Sequence, residues 1–504
     1  MKPFRPVIPS ADLAGAPRES AMAPARARRW LVAILGFGLA LRLALVAGAG
    51  IYHPDELFQY LEQAHRLVFG LGLVPWEYRY GMRGWLLPVL LSGPMALGGM
   101  MAPATSLYIL LPRACAALLS MTIVWSAWRL GRRISPAGGL IAAGIAAGWA
   151  EFVYFAPHIL SETISIALIL PAAALLTESE RSTRLSLIAG FLLGIAILLR
   201  MQHLPAAATL ALFALRHRPR DWMPLIGGGA IAIAIGGAVD IAHGQAPFGW
   251  AIEYVRQNIL LDRAATYGTE PAWAYARAIG VAFCWWLAPL LMLAIVGATR
   301  APALLAMALV NLAVHAAIGH KEYRFILLTT ATLTLLAALG TAMLVERAIA
   351  RRAGLARSLP WAAIGIWAIA SASLAASGRP GLYAMDAGKD GPNAFAMARA
   401  DPLLCGLATQ GLHFSRGGGY AYLHRATPLF IYDSGEAAAL ARDASGFNRL
   451  IAPASTPAPV GFRQGSCLPA RGSAQPLCLF LRSGGCRAIR TANEANRMLV
   501  RTDQ

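Results

Sequence analysis

Charge is scarce in this chain: 14% of its 504 residues are charged, against 57% hydrophobic. A surface exposed to water cannot be built from so little charge, which excludes a wholly soluble protein and requires that lipid cover much of the fold. Cysteines at metal-ligand spacing are lacking too. Cys115 and Cys284 lie within apolar blocks, and Cys405, Cys467, Cys478 and Cys486 fall in the C-terminal region. No metal motif is visible, and the last four are candidates for one or two disulfides if that region faces an oxidising compartment. Acidic residues are also in short supply, with 25 Asp and Glu against 44 Lys and Arg, a formal charge of +19. The cations sit in short clusters between apolar blocks, a membrane-topology signal rather than a nucleic-acid footprint.

What is present is a series of long Ala, Leu, Ile, Val and Gly blocks. At ~1.5 Å rise per residue several can cross a ~30 Å hydrocarbon core. Residues 1–29 read as a basic cytoplasmic tail with Lys2, Arg5, Arg18, Arg26, Arg28 and Arg29. With that tail inside, the expected spans are 30–50, 106–128, 137–155, 159–176, 185–200, 203–215, 222–241, 273–298, 301–318, 325–345 and 359–377. Residues 84–100, interrupted by Pro88 and Pro94, are expected to lie along the membrane surface within a large first external loop, 51–104. Counted as a span, they would put Arg129, Arg132 and Arg133 outside, against the charge bias. This threading keeps Arg181, Arg184, the basic run 216–220, Arg300 and the arginines of 347–357 on the inner side.

The expected fold is therefore an all-α polytopic membrane protein of about eleven spans. Residues 30–377 form its membrane domain and 378–504 a small extracytoplasmic α/β domain. In the latter, 428–432, 448–452 and 477–481 read as strands, and 436–443 and 492–500 as helices.

Charges near membrane depth are costly and tend to be functional. Under this threading they gather on the outer face. The first loop carries His53, Asp55, Glu56, Gln59, Glu62 and His65, then Trp76, Glu77, Tyr78, Arg79 and Arg83. Helical spacing from Asp55 places Gln59 and Glu62 on one face, while Asp55 and Glu56 cannot share a face. One of these two carboxylates can point into a cleft while the other caps or pairs; both stay candidates. Aromatic rings and guanidinium groups in the same loop suit sugar stacking and phosphate binding, and suit an interfacial belt equally. A second cluster, His320, Lys321, Glu322, Tyr323, Arg324 and Phe325, occupies a very short external turn, and Lys321 is conspicuous because lysine is nearly absent elsewhere. Smaller outer-face signals are Ser161 to Thr163, Arg200 to Gln202 and the loop 240–273.

The stretch HPDELFQYLEQAHRLVFGLGLVPWEYRYGMRGWLLP at 53–88 resembles the first external loop of glycosyltransferase family 22, the mannosyltransferases that extend lipid-linked oligosaccharides and GPI-anchor glycans. HKEYRF at 320–325 is similar to that family's second signature, and YGTEP at 267–271 to a third. The resemblance spans roughly 30–345. It implies the GT-C membrane fold, an acidic first-loop residue at the active site, a polyprenyl-phosphate-linked hexose donor, typically mannose, and inverting transfer. Pro75 stands where the family usually has Thr, and Pro-Ala-Trp follows Gly-Thr-Glu where aromatics normally cluster, departures that bear on the acceptor.

On this reading Asp55 is the general base, with Glu56 its rival. Lys321, Arg324 and His320 stabilise the departing phosphate, Glu322 orients those cations, and His53, Gln59, Trp76, Glu77, Arg79 and Arg83 contact substrate. The expected partners are a polyprenyl-phosphate sugar, a glycan or glycolipid acceptor and the bilayer, with no nucleic acid. No cofactor is expected, and a divalent metal requirement is left open. The lack of an Asp-x-Asp nucleotide-sugar motif agrees with a lipid donor. A GT-C enzyme using arabinose or glucose, and a transporter, are the alternatives; the one-sided charges and lack of inverted-repeat symmetry argue against the latter. Richness in Ala, Gly and Arg hints at a GC-rich bacterial genome, a periplasmic site and an undecaprenyl-type carrier.

Overall fold

The computed structural model describes residues 24–501 apart from 181, 378–386 and 470–474. Most of the expected basic tail, with Lys2, Arg5 and Arg18, therefore lies outside the described residues, as do Arg181 and the expected domain boundary at 378.

Helix α1 (Pro24–Val46) leads into the first loop, which folds as a π-helical turn (Glu56–Leu61), α2 (Glu62–Phe69), the single turn α3 (Trp76–Arg79) and α4 (Leu86–Met101). There follow α5 (Leu107–Gly131), α6 (Pro136–Gly148), α7 (Ala150–Tyr154), α8 (Ser161–Leu176), α9 (Thr183–Leu199), α10 (Leu204–Leu215) and α11 (Pro219–Ala242). A second outer segment holds the short α12 (Gly249–Val255). The bundle closes with α13 (Ala274–Phe283), α14 (Leu287–Ala298), α15 (Pro302–Ala317), α16 (Leu327–Arg351) and α17 (Leu359–Ala376).

Among the described residues six helical segments are long and apolar enough to cross a membrane, and six shorter apolar helices of 10–17 residues accompany them. Eleven of these twelve coincide with the expected spans. The twelfth is α4. Its buried Leu87, Leu91 and Met95 join the apolar cluster of the first loop and C-terminal domain rather than the bundle core. One cavity is lined by Arg28 and Leu31 of α1, Trp128 of α5, the following Arg132 and Arg133, and Pro136 of α6. The start of α1 and the end of α5 therefore share one end of the bundle, so the segment between them makes no net extra crossing.

Small residues let these helices touch backbone to backbone, since lipid offers little hydrophobic drive for helix association. A Cβ on Gly190 of α9 would stand 1.9 Å from the Leu225 carbonyl of α11, and one on Gly228 the same distance from the Leu187 carbonyl. Gly297 and Gly340 make the same approach between α14 and α16. Helix α16 is buried along nearly its whole length at the centre of the bundle. The extended Trp149 separates α6 from α7. Buried Arg42 donates to the Ala146 and Ala147 carbonyls at 3.1 and 2.8 Å, satisfying acceptors that this break leaves without helical partners.

The C-terminal domain contains α18 (Asp390–Arg399), β1 (Leu407–Gln410), α19 (Gly419–Leu423), β2 (Leu429–Tyr432), α20 (Ala437–Asp443), β3 (Arg449–Pro453), β4 (Phe462–Cys467), β5 (Leu477–Arg482) and α21 (Ala495–Arg501). Its five strands run in the order β2-β1-β3-β5-β4, with β1 parallel to β2 and β3, and β5 antiparallel to β3 and β4. The three expected strands and both helices are present; β1 and β4 are additional. Disulfides join Cys405 to Cys486 and Cys467 to Cys478, the second pair facing each other across β4 and β5.

Alternation along the strands splits the core. Ala408, Phe430, Tyr432 and Leu450 pack in one cluster within the domain. Leu407, Leu429, Ile431 and Ile451 join the cluster containing Leu57, Phe58, Leu61 and Leu73 of the first loop. The domain is thus seated on the loop. Glu62 accepts from the backbone N–H of Leu73 at 2.6 Å and of Ala421, and His65 Nε2 lies 2.8 Å from His424 Nδ1.

Candidate active site

The end of the bundle that carries the first loop gathers the charged residues of four separate segments. Arg324, in the turn before α16, is buried and holds three carboxylates. Its Nη1 lies 2.8 Å from Asp55 Oδ2 and 3.4 Å from Glu162 Oε1, and its Nε and Nη2 donate to the two oxygens of Glu322. Glu162, at the start of α8, also takes Arg200 Nη1 at 3.1 Å. His53 Nε2 lies 3.3 Å from Glu322 Oε2, and His320 Nε2 lies 2.9 Å from Glu322 Oε1. Charges alternate along this chain, as low-dielectric surroundings require of buried ions.

Asp55 and Glu56 part company here. Burial would raise the Asp55 carboxyl, but the Arg324 guanidinium, with His53 and Arg83, outweighs it and holds the group well below the usual carboxylate range. Glu56 points the other way and is fully buried. Its oxygens meet His158 Nδ1 at 2.9 Å, the backbone N–H of Tyr52 at 3.1 Å and of Ile159 at 3.2 Å, with Arg113 Nη2 at 3.6 Å. These partners take up both of its oxygens.

The π-helical turn at Glu56–Leu61 overturns one spacing argument. By widening the helix it carries Glu62, seven residues after Asp55, off the face it was expected to share with Asp55 and Gln59. Gln59 Nε2 donates to Glu77 Oε1 at 2.7 Å, on the site side, whereas Glu62 turns to the C-terminal domain. Glu77 is buried, and burial first, then the Asp55 charge, lifts its carboxyl to about 7. Arg83 lies over the Tyr254 ring, 5.5 Å from its centroid.

Two expected substrate contacts have other partners. Arg79 Nη2 donates to the Asn496 carbonyl of α21 at 2.7 Å and its Nε to the Val74 carbonyl at 2.9 Å, tying the loop to the C-terminal domain. Trp76 packs edge-on against Tyr80.

Beside the charged chain is a cavity of about 310 Å³ lined by Tyr52, Glu270, Tyr275, Arg277, Lys321, Glu322 and Tyr323. Lys321 Nζ donates to the Ala316 carbonyl at 3.1 Å and lies 5.6 Å from the centre of the Tyr275 ring; desolvation lowers its pKa. His320 is shifted upward by its hydrogen bond to Glu322. Among the described residues no group of three or more His, Cys, Asp or Glu side chains is arranged to hold a metal ion.

Tyr52, Tyr275 and Arg277 escaped the sequence reading because aromatics and arginines at span ends look like ordinary anchors. Glu151 escaped although an acid inside an apolar run was a usable signal. Buried in α7, it accepts from the hydroxyls of Tyr323 at 2.6 Å and Thr330 at 2.8 Å, and so fixes the turn that carries Lys321 and Arg324.

The family model described as the Alg9-like mannosyltransferase family matches residues 33–378. Among curated proteins, GPI mannosyltransferase 3 of Drosophila melanogaster is 28% identical over 319 residues, 57% of this chain and 52% of that protein. Its counterpart from Yarrowia lipolytica is 28% identical over 59% of each chain. The chain thus spans between half and three-fifths of the length of these relatives. Among solved structures, ArnT from Cupriavidus metallidurans bound to undecaprenyl phosphate superposes with a TM-score of 0.60 at 10% identity, covering 90% of this chain and 98% of that one. The mycobacterial arabinofuranosyltransferase AftD gives 0.50 at 16% identity over 91% and 40%. These likenesses establish the GT-C fold of a multi-pass membrane protein.

Proposed function

The chain belongs to the Alg9-like mannosyltransferase family, and from that premise we propose that it moves a mannosyl group from a polyprenyl-phosphate carrier to a hydroxyl of a glycan or glycolipid acceptor, with inversion. The observation that carries this reading is the 2.8 Å pairing of Asp55, from the first loop, with Arg324, from the HKEYRF turn, beside the cavity that Lys321 lines. A lipid-phosphate sugar needs a carboxylate and cations together near the membrane surface, and these are the residues brought together.

The acceptor oxygen attacks the anomeric carbon as the bond from that carbon to the phosphate oxygen breaks. The hydroxyl proton passes to Asp55, and the electron pair leaves with the polyprenyl phosphate. A carboxylate held far below the usual range is a weak base towards a resting alcohol, so proton transfer runs concertedly with attack, when the hydroxyl has become acidic. Lys321 meets the phosphate charge first. Arg324, shared among three carboxylates, adds positive potential from behind while keeping Asp55 ionised. Glu322 and His320 hold this turn in place, and Gln59, Glu77 and Arg83 shape the loop side.

The arginine distribution supports placing this site on the extracytoplasmic face. Cysteines introduced at Trp76 and Ser434 should react with an impermeant thiol reagent from outside, and one at Arg132 should not. The activity is tested with purified protein and a panel of polyprenyl-phosphate mannose, glucose and arabinose donors. Transfer from the mannosyl donor alone is expected; transfer only from another sugar would move the donor assignment, and no transfer from any would sink it.

A further inference from the structure

The end of the bundle opposite the active site holds a cavity of about 820 Å³ between α1, α5, α6 and the turn joining α8 to α9. Ligand pockets typically fall between ~300 and ~1,000 Å³. Its wall is two-toned. Leu31, Trp128, Pro136 and Leu140 give it an apolar floor, and Arg28, Arg132 and Arg133 a cationic rim.

The charges of this rim do not cancel. Arg129, Arg132 and Arg133 all converge on the one carboxylate of Glu178, at 2.7, 3.7 and 3.7 Å. Arg129 takes the short contact, and Arg133 also donates to the Thr177 carbonyl at 3.0 Å and to the Ala174 carbonyl, closing the end of α8. Arg132 is left with the long contact, its guanidinium 4.8 Å from the Trp128 ring centroid and its side chain 42% exposed. Arg28 enters from α1 with no carboxylate partner among the described residues. Glu180 is the one other acid on the lining. Cations merely marking the inner side of a membrane protein need no walls. Here they share a concavity with apolar lining residues, and α1, which forms part of its wall, also carries exposed Trp30 and Val32, the surface that lipid would cover.

We propose that this cavity binds the phosphate-bearing headgroup of an acidic bilayer phospholipid, with Arg28 and Arg132 on the phosphate and the first acyl methylenes against Leu31, Trp128 and Leu140. An anion with an apolar extension matches both halves of the lining; free phosphate matches only the rim. The site is separate from the transferase centre and does not depend on the donor assignment.

The test uses full-length protein in nanodiscs of phosphatidylcholine doped with a fluorescent phosphatidylglycerol, read by energy transfer from the protein's tryptophans. Phosphatidylglycerol should be enriched beside the protein over labelled phosphatidylcholine. Each surface cation is worth ~1 kcal/mol to such a lipid, about fivefold. Arg28→Gln should therefore lower the preference about fivefold and Arg28→Gln with Arg132→Gln about 25-fold, with transferase activity unchanged. Should the double variant fail to fold, the single variant decides. No preference for phosphatidylglycerol in the parent, or an unaltered preference in Arg28→Gln, overturns the proposal. Displacement of the lipid by millimolar inorganic phosphate would overturn the lipid as the source of the anion.

Discussion

The two ends of the bundle use arginine in opposite ways. At the outer end Arg324 and Arg200 share Asp55, Glu162 and Glu322, so acids match or exceed the guanidinium groups. At the other end three arginines share Glu178. A balanced, buried network is rigid and costly to disturb, because removing one member strands its partners in low dielectric. An unbalanced cluster that is open to solvent at Arg132 tolerates substitution there and keeps potential to spare for an anion. The lesson is that the number of basic residues at an end says little; the count of acids facing them, and their burial, separates machinery from a surface site.

Substitutions can break or sharpen that contrast. The largest effect is expected from Asp55→Asn, which preserves shape but cannot take the proton. Turnover should fall by ~100-fold or more with donor KM little changed. Glu56→Gln should instead lower thermal stability and yield of folded protein, since its partners His158 and Arg113 are buried. If Glu56→Gln folds normally and is dead while Asp55→Asn is active, the base lies one residue along.

Next in size, Arg324→Lys keeps one charge but cannot span Asp55, Glu162 and Glu322. A loss of ~10- to 100-fold in kcat/KM is expected, with both kcat and KM affected. The matching change at the other end, Arg129→Gln, should leave kcat/KM within about twofold, because the pair it breaks with Glu178 lies at the end of the bundle away from Asp55 and Arg324. Equal damage from the two would erase the distinction drawn between the ends.

Packing between helices should respond on a scale of ~1–3 kcal/mol. Gly190→Ala places a methyl against the Leu225 carbonyl, a backbone atom that cannot swing aside, whereas Gly227→Ala on α11 meets open space. The first should lower the melting temperature in detergent and the second should leave it unchanged or raise it slightly.

The smallest effect concerns the seat of the C-terminal domain. Burial lifts Glu62 to about 8 from an ordinary 4.5, and pushes His65 and His424 down to about 4 from 6.5. The folded chain keeps a proton on Glu62 that the unfolded chain gives up above pH 4.5, so that contribution drains away between pH 4.5 and 8. The two histidines contribute above pH 6.5 and lose their share as pH falls towards 4. Their joint effect is a stability maximum near pH 6.5 with a decline towards pH 8. Glu62→Gln should remove the decline, and thermal melts of parent and variant across pH 5–9 check it.

Much of this was legible in the chain. Long apolar blocks and the arginines between them identify eleven helical segments and mark 84–100 as the exception, because crossing a membrane is a requirement on length and composition that local sequence states directly. The strands at 429–432, 449–453 and 477–482 were visible as short apolar runs. β1, only LATQ, and β4, FRQGSC, were not, since a four-residue strand and a largely polar edge strand carry no periodic signal. Among site residues, Asp55 and Arg324 stood out as charges where charges are expensive. Arg79 stood out for the same reason and yet reaches a partner in α21, which nothing near position 79 reveals.

The sequence by itself determined that this is a multi-pass membrane protein whose costly charges concentrate in two segments between apolar helices, because burying charge and spanning lipid are penalties each residue incurs wherever it sits. Only the tertiary structure gave Asp55 and Glu56 different partners. They are adjacent in the chain and alike in chemistry, and what separates them is the environment each side chain meets. Arg324 lies 269 positions after Asp55 and His158 lies 102 after Glu56, and no local pattern encodes which of the two each carboxylate will reach.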